Sequence, residues 1–346
     1  MSAIDLKANT YFRIIVKYLP ILSFAVPFGI LYFLYPQSFE MTWEGRTYYL
    51  FFLWLMFLET IMNENELRGQ LSRLKSARTV LFAMSSALPT IYVIGSNYFG
   101  WNSVISEFAE KSGVPFANLI PLTVEYLIFT VFFVTIAIAE FGITNLKNYS
   151  ITTVFLGAIG VLYMINNLYP YGQFTPFQIF VPTATMLAAG ILNLMGFTTN
   201  ISYAYTPQEG SLPVLSVQPL QGSPIGFKIA WPCSGIESLM IYSITVALFL
   251  KSSAIPRKEK LVYFVFGAII TYLINGLRIV TLYTIALNGG QVTTFHDYYG
   301  QLYSVSWIMV YPLIIMAGRA LMTRMRIAKF DMPQVAGVSA PTRNPG

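Results

Sequence analysis

The chain is poor in nearly everything a water-soluble catalyst uses. Its 346 residues include 21 Lys and Arg and 15 Asp and Glu, 10% in all, where a soluble globular chain carries roughly 25%. So few charges cannot cover a solvated surface, and a soluble enzyme of this length is excluded. A hydrophobic content of 55% excludes intrinsic disorder on the same ground. There is one cysteine, Cys233, and one histidine, His296. A lone Cys excludes an intrachain disulfide and a Cys-based metal site, and a lone His argues against a His-based centre. No metal and no cofactor is therefore expected.

What the chain does have is long apolar runs and aromatics. Phe, Tyr and Trp make up 16% of it, as suits the interfacial belts of a polytopic membrane protein. Runs able to cross roughly 30 Å of hydrocarbon fall at about 14–35, 47–62, 79–95, 118–139, 151–168, 176–197, 236–253, 261–286 and 301–322. The first reads as a retained span. Tyr and Pro end it, and no small-residue cleavage site follows, as a signal peptide would need. No internal repeat is visible, and no low-complexity tract apart from the polar tail after Phe330.

Lys and Arg accumulate on the cytoplasmic side of membrane proteins, so their distribution sets the number of crossings. With the N-terminus inside, Lys7, Arg13 and Lys17 lie inside, as do Arg68, Arg73, Lys75 and Arg78. If all nine runs cross, the 21 basic residues divide into 10 inside and 11 outside, which is no bias. If one run before residue 198 fails to cross, the division becomes 17 inside and 4 outside. Eight spans are therefore expected. The favoured non-crossing run is 176–197, bracketed by Pro176, Pro182 and Gly196, as a re-entrant or interfacial helix. The runner-up is 47–62, which is short and carries Glu59. Either choice leaves 198–232 and 287–300 outside the cytoplasm, and the favoured one leaves 96–117 there too. It also assigns the +6 charge to cytoplasmic clusters, with lipid phosphate as a secondary partner and no nucleic-acid partner.

Before Cys233, residues Ile225, Phe227, Ile229 and Trp231 alternate with Gly226, Lys228 and Ala230, the period-2 pattern of a short strand. Val214 to Leu220 is its partner across the turn-rich Gln221-Gly222-Ser223-Pro224. A small extracytoplasmic β-hairpin then delivers the chain into Trp231-Pro232-Cys233.

Three side chains stand out. Cys233 precedes the run 236–253, at or just before a helix N-terminus, where unpaired N–H groups and the helix dipole lower a thiol's pKa. The alternative is a buried Cys acting as a small hydrophobe. Arg278 is the one charge within 261–286, and an ionisable residue in a span is costly and by default functional. Its alternative is snorkelling to outer headgroups. His296, in Thr294-Phe295-His296-Asp297-Tyr298, follows in the next outer loop, where a lone His is more often a bystander. Topology places the thiol, the guanidinium and the imidazole on one side at one depth. A nucleophile, a base and a fixed cation are the parts that acyl transfer needs.

Pro-Cys-Ser-Gly-Ile before a span, Asn275-x-x-Arg278 in the next and Phe295-His296-Asp297 after it resemble the exosortase/archaeosortase family, as does the strand leading to Cys233. The archaeosortase-like branch is favoured. The likeness covers roughly residues 150–322; the four N-terminal spans carry no matching motif. It implies a membrane-embedded cysteine protease/transpeptidase of eight spans, with Cys233 as nucleophile, Arg278 as the cation for the oxyanion or thiolate, and His296 as general base and acid. Some archaeal members carry Arg at the position of His296. The implied substrates are secreted surface proteins with a C-terminal sorting signal, transferred through a thioester to an acceptor, a membrane lipid amine or water. The division implied is an N-terminal bundle (1–150), a catalytic core (151–330) and a polar cytoplasmic tail (331–346) of a plasma-membrane protein with both termini inside.

The remaining polar residues carry paired readings. Glu237 either orients His296 or Arg278, or complements the helix dipole. Ser234 and Ser238 assist the thiol or cap the helix, capping being preferred. Asn275 accompanies Arg278 in its motif. Asp297 points away from the imidazole if the backbone there is extended. Glu125, within 118–139, either binds a partner Arg or lines the substrate groove, or is hydrogen-bonded between helices, the commoner case. Glu140 lies at the inner end of that run, and Glu59 has the same two readings, the structural one preferred. Asn200-Ile201-Ser202 is an outward glycosylation sequon. Two other functions are set against the peptidase. A transporter or channel would place charges or broken helices at the membrane midplane. A lipid-linked glycosyltransferase would need an acidic metal-binding pair, for which Glu40 and Glu44 or Glu107 and Glu110 are poor substitutes.

Overall fold

A computed structural model describes residues 3–41, 44–62, 76–169, 173–206, 210–219, 222–300 and 302–330. The basic residues Arg68, Arg73 and Lys75 and the tail 331–346 lie outside the described residues. Each apolar run of the sequence is helical: α1 (Ala3–Leu34), α2 (Pro36–Glu40), α3 (Thr47–Met62), α4 (Ser76–Tyr98), α5 (Trp101–Lys111), α6 (Ile120–Phe141), α7 (Ser150–Leu168), α8 (Thr175–Gln178), α9 (Val181–Leu194), α10 (Ile236–Ser252), α11 (Arg257–Leu287), α12 (Val292–Thr294) and α13 (Leu302–Phe330). Local sequence sets the ends. Pro121 stands in the first turn of α6, where its missing N–H costs nothing. Gly142, at φ +79°, ends that helix in a conformation other residues disfavour.

Among the described residues, six helical stretches are long and apolar enough to cross a membrane: Val80–Tyr98, Ala117–Glu140, Ser150–Leu168, Pro176–Leu194, Arg257–Leu287 and Val292–Met322. Tyr18–Leu34 and Thr47–Ile61 are shorter apolar helices, and α10 adds 17 residues. The architecture is that of a polytopic membrane protein. Val131 and Leu313 stand more than half exposed on their helices, as side chains facing lipid would. The stretch 176–194 is broken between α8 and α9. The 14 residues of α9 reach only roughly 21 Å at 1.5 Å per residue, short of a full hydrocarbon thickness.

Rings fill the N-terminal half. Phe24, Phe28, Tyr49, Phe52, Phe129 and Phe133 are buried together, with Phe28 stacked on Tyr49 at 4.3 Å. Within this packing Arg46 clamps Glu125: Nε donates to Oε1 at 2.7 Å and Nη2 to Oε2 at 3.1 Å, while the Tyr49 hydroxyl donates to Oε1 at 2.8 Å. Of the two readings of Glu125, the bond between helices is the one found, with an arginine of the same chain as its ion-pair partner. Glu59 instead accepts the amides of Ile151 and Thr152 at the start of α7, at 2.9 and 3.0 Å, which satisfies donors that a helix N-terminus leaves open. In the other half small residues permit close helix approach: a Cβ on Gly267 would lie 2.2 Å from the Tyr242 hydroxyl.

Between α9 and α10 the chain forms a sheet of three strands, β1 (Thr198–Thr206), β2 (Gly210–Gln218) and β3 (Ile225–Lys228), in the order β1-β2-β3. The expected pairing is present, with Val214 opposite Lys228 and Val217 opposite Ile225. The expected hairpin is nevertheless incomplete: β2 begins at Gly210, and β1 adds nine residues paired from Thr198–Gln218 to Thr206–Gly210.

Candidate active site

The sheet is fixed to the helix it serves. The Tyr283 hydroxyl of α11 donates to the Leu215 carbonyl and accepts the Phe227 amide at 3.2 Å. Ile229 continues the ladder by donating to Pro213 at 2.8 Å. The chain then tightens into one 3₁₀ turn, Trp231–Ser234, directly before α10. Trp231 is fully buried against Phe177, ring centroids 5.2 Å apart. Cys233 therefore sits where the sequence places it, immediately ahead of a helix N-terminus. Ser234 does not cap that helix; its hydroxyl donates back to the Trp231 carbonyl at 2.7 Å, which closes the turn. Gly235 holds the cap position at φ +84°, and a Cβ there would lie 2.5 Å from Asn275 Cγ. Conformation and space both require glycine.

Asn275 and Arg278 are three residues apart on α11 and so share a face. Both are buried, at 1% and 2% exposure. Asn275 Nδ2 donates to the Cys233 carbonyl at 3.0 Å, which fixes the backbone of the thiol. Among the described residues Arg278 Nε and Nη1 have no hydrogen-bond partner. A buried guanidinium with unfilled donors is costly, so this site is built to receive an acceptor atom. Gly300 makes room for it: a Cβ there would approach Arg278 Nε to 2.6 Å.

His296 lies on a π-helical turn, Phe295–Tyr299; such turns gather at functional sites. Its Nε2 is 3.9 Å from Cys233 Sγ, and its Nδ1 is 2.9 Å from Asp297 Oδ1. Here the sequence expectation is corrected. The backbone is helical rather than extended, and Asp297 curls back onto the imidazole it follows. Cys233, His296 and Asp297 thus make a line of thiol, imidazole and carboxylate. Burial raises the Cys233 thiol, but the hydrogen bond and charge of His296, then Arg278, outweigh it and bring the thiol below its ordinary value. His296 is raised above the ordinary imidazole, chiefly by its bond to Cys233, against burial. Each shift favours the thiolate–imidazolium pair.

Cys233 and His296 open into a cavity of about 370 Å³, lined also by Glu44, Asn166, Lys228 and Pro232. Glu237, on the first turn of α10, is buried and accepts the Tyr48 hydroxyl of α3 at 2.8 Å. The N-terminal half therefore contributes side chains to the site. Neither Tyr48 nor Glu44 was identified from the sequence as part of it.

The profile of the transmembrane exosortases matches residues 43–312. The chain belongs to the transmembrane exosortase family. The match is to the family as a whole rather than to its archaeosortase-like branch, and it begins at the loop before α3, well ahead of the segment in which the sequence motifs lie. No curated protein and no solved structure matches the chain. Within this exosortase the three motifs that carry the resemblance converge, because α11 holds the Cys233 turn through Asn275 and carries Arg278 on the same face.

Proposed function

We propose that this exosortase is a cysteine transpeptidase of the cell membrane, with its site on the extracytoplasmic face. It cleaves the C-terminal sorting signals of secreted surface proteins and passes the acyl group to an acceptor, a membrane lipid amine or water. Arg278, buried with unfilled donors beside a Cys–His pair, is the observation that carries the reading, since it can stabilise the anion that acyl transfer generates.

His296 takes the proton of Cys233 and the thiolate attacks the scissile carbonyl carbon. Arg278 holds the oxyanion that forms. His296, oriented by Asp297 at Nδ1, returns the proton to the departing nitrogen as the C–N bond breaks, leaving a thioester on Cys233. Asn275 and Gly235 keep the Cys233 backbone in register with Arg278. Glu237 lies within electrostatic reach of the guanidinium, while its carboxylate accepts the Tyr48 hydroxyl.

An apolar groove of about 470 Å³ runs between α3, α7, α10 and α13, with Tyr48 and Trp54 on α3 and Pro312 and Met316 on α13. Tyr48 joins it to the site through Glu237. It suits one face of an apolar helix, and the hydrophobic part of a sorting signal lying there would bring its outer end to Cys233.

The test is processing of a tailed surface protein in cells. Cys233→Ala and Arg278→Ala should abolish cleavage while the protein still inserts, the second by at least ~10²-fold. Cleavage retained in either variant contradicts the reading.

A further inference from the structure

The described chain has one non-glycine residue with a positive φ, Glu44 at +50°, and it faces the catalytic cavity beside Cys233 and His296. Left-handed backbone at a side-chain-bearing residue persists only where its surroundings enforce it. They do so thoroughly here. Arg46, clamped on Glu125, donates its amide to the Ser38 carbonyl at 2.6 Å. Thr47 Oγ1 donates to the Phe39 and Met41 carbonyls at 2.7 and 2.6 Å. Tyr126 donates to the Gly45 carbonyl at 2.8 Å, and a Cβ on Gly45 would fall 2.2 Å from the Met41 carbonyl. The carboxylate itself accepts Asn166 Nδ2 of α7 at 2.5 Å. A tightly bonded loop and a neighbouring helix thus hold one carboxylate in the lining of the cavity that Cys233 shares, where the Cys–His–Asp line makes no use of it.

We propose that Glu44 is the general base for the second half-reaction, taking the proton of the nucleophile that resolves the Cys233 thioester. The assignment rests on the thioester reading above. The nucleophile H–Nu, an amine or water, enters the cavity. Its proton passes to the Glu44 carboxylate as the Nu–C bond forms, the oxyanion collapses, and the C–S bond breaks to leave the Cys233 thiolate beside neutral His296. Glu44 then gives up its proton, and the Cys233–His296 pair takes one back from solvent, which restores the starting state. The division is physical: while Cys233 is acylated and His296 has spent its proton on the first leaving group, a separate carboxylate lining the same cavity serves the incoming group. Burial, against the Asn166 bond and helped by Asp297, pushes Glu44 up to about 7, near the optimum for a base at neutral pH. The ionisable groups around it are Asp297 and His296 on the 295–299 turn, Lys228 on β3, Cys233, Glu237 on α10 and Tyr163 on α7.

The test uses the full-length protein in detergent with p-nitrophenyl acetate, whose nitrophenolate burst reports acylation of Cys233 and whose steady state reports deacylation. Glu44→Gln should keep the burst rate within about threefold but slow the steady state by about 10²-fold. It should also lose the limb that rises with pH through about 7. Hydroxylamine, neutral and strongly nucleophilic at pH 7, should restore release without the base. Added ethanolamine separates the two sources of H–Nu in wild type: amide product assigns Glu44 to an amine, acetate alone to water. If Glu44→Gln does not fold, Asn166→Leu frees the carboxylate from its tether and should slow deacylation several-fold. Wild-type steady-state rates in either variant overturn the assignment. Absence of any Cys233-dependent burst in wild type overturns the thioester reading itself, which is a different failure.

Discussion

Cys233 is a thiol that burial alone would keep neutral; His296 and Arg278 reverse that balance. The sign of the pH dependence follows. Acylation rises with pH through the lowered Cys233 pKa and falls as pH passes the raised His296 pKa, because the imidazolium that protonates the leaving nitrogen is lost. Asp297 supports the protonated imidazole, so Asp297→Asn should move the falling limb to lower pH and reduce acylation by on the order of 10²-fold. A pH–rate profile of the burst phase checks both; an unmoved limb would show Asp297 to be a bystander. Cys233, Arg278 and His296 were legible because each is singular in its setting: one thiol, the one charge within 261–286, one imidazole. Asp297 and Glu44 were not. The contact of the first depends on a π turn that five residues of sequence do not announce. The second depends on a loop conformation whose bonds come from Ser38, Phe39, Met41 and Tyr126.

At the scale of elements, α11 does most to assemble the site. It meets the Cys233 turn through Asn275, carries Arg278, and pins the sheet through Tyr283. Gly300→Ala should displace the Arg278 guanidinium, since the added Cβ would lie 2.6 Å from Nε and 3.1 Å from Cζ. We expect a rate loss of about 10²–10³-fold, the effect of losing one oxyanion donor, with little change in thermal unfolding. Unfolding that falls in step with activity would argue that Gly300 serves packing alone. The helices were readable because apolar runs above a certain length admit few other structures in lipid. The β2–β3 pairing was readable from alternation. Strand β1 was missed for a reason its burial explains: exposed and half-buried residues alternate along it without one buried face, so no apolar period-2 signal exists to read.

At the scale of the molecule, the positive-inside distribution, the family and the apolar helices agree on a multi-pass protein, and the proposed eight-span arrangement would place Cys233 outside. Because the chain has one cysteine, a membrane-impermeant maleimide applied to intact cells should label this protein at Cys233 and nowhere else, and Cys233→Ser should abolish labelling. Labelling that requires permeabilised cells would reverse the topology. The extent of the N-terminal contribution was not legible, because Tyr48 and Glu44 act through contacts that span more than a hundred residues, and Arg46 through one that spans 79, and none follows a local pattern. The most direct measurement is intact-protein and peptide mass spectrometry after incubation with a tailed substrate. The account predicts a hydroxylamine-sensitive acyl adduct on Cys233, absent in Arg278→Ala. Substrate cleavage without such an adduct, or an adduct on any other residue, would contradict it.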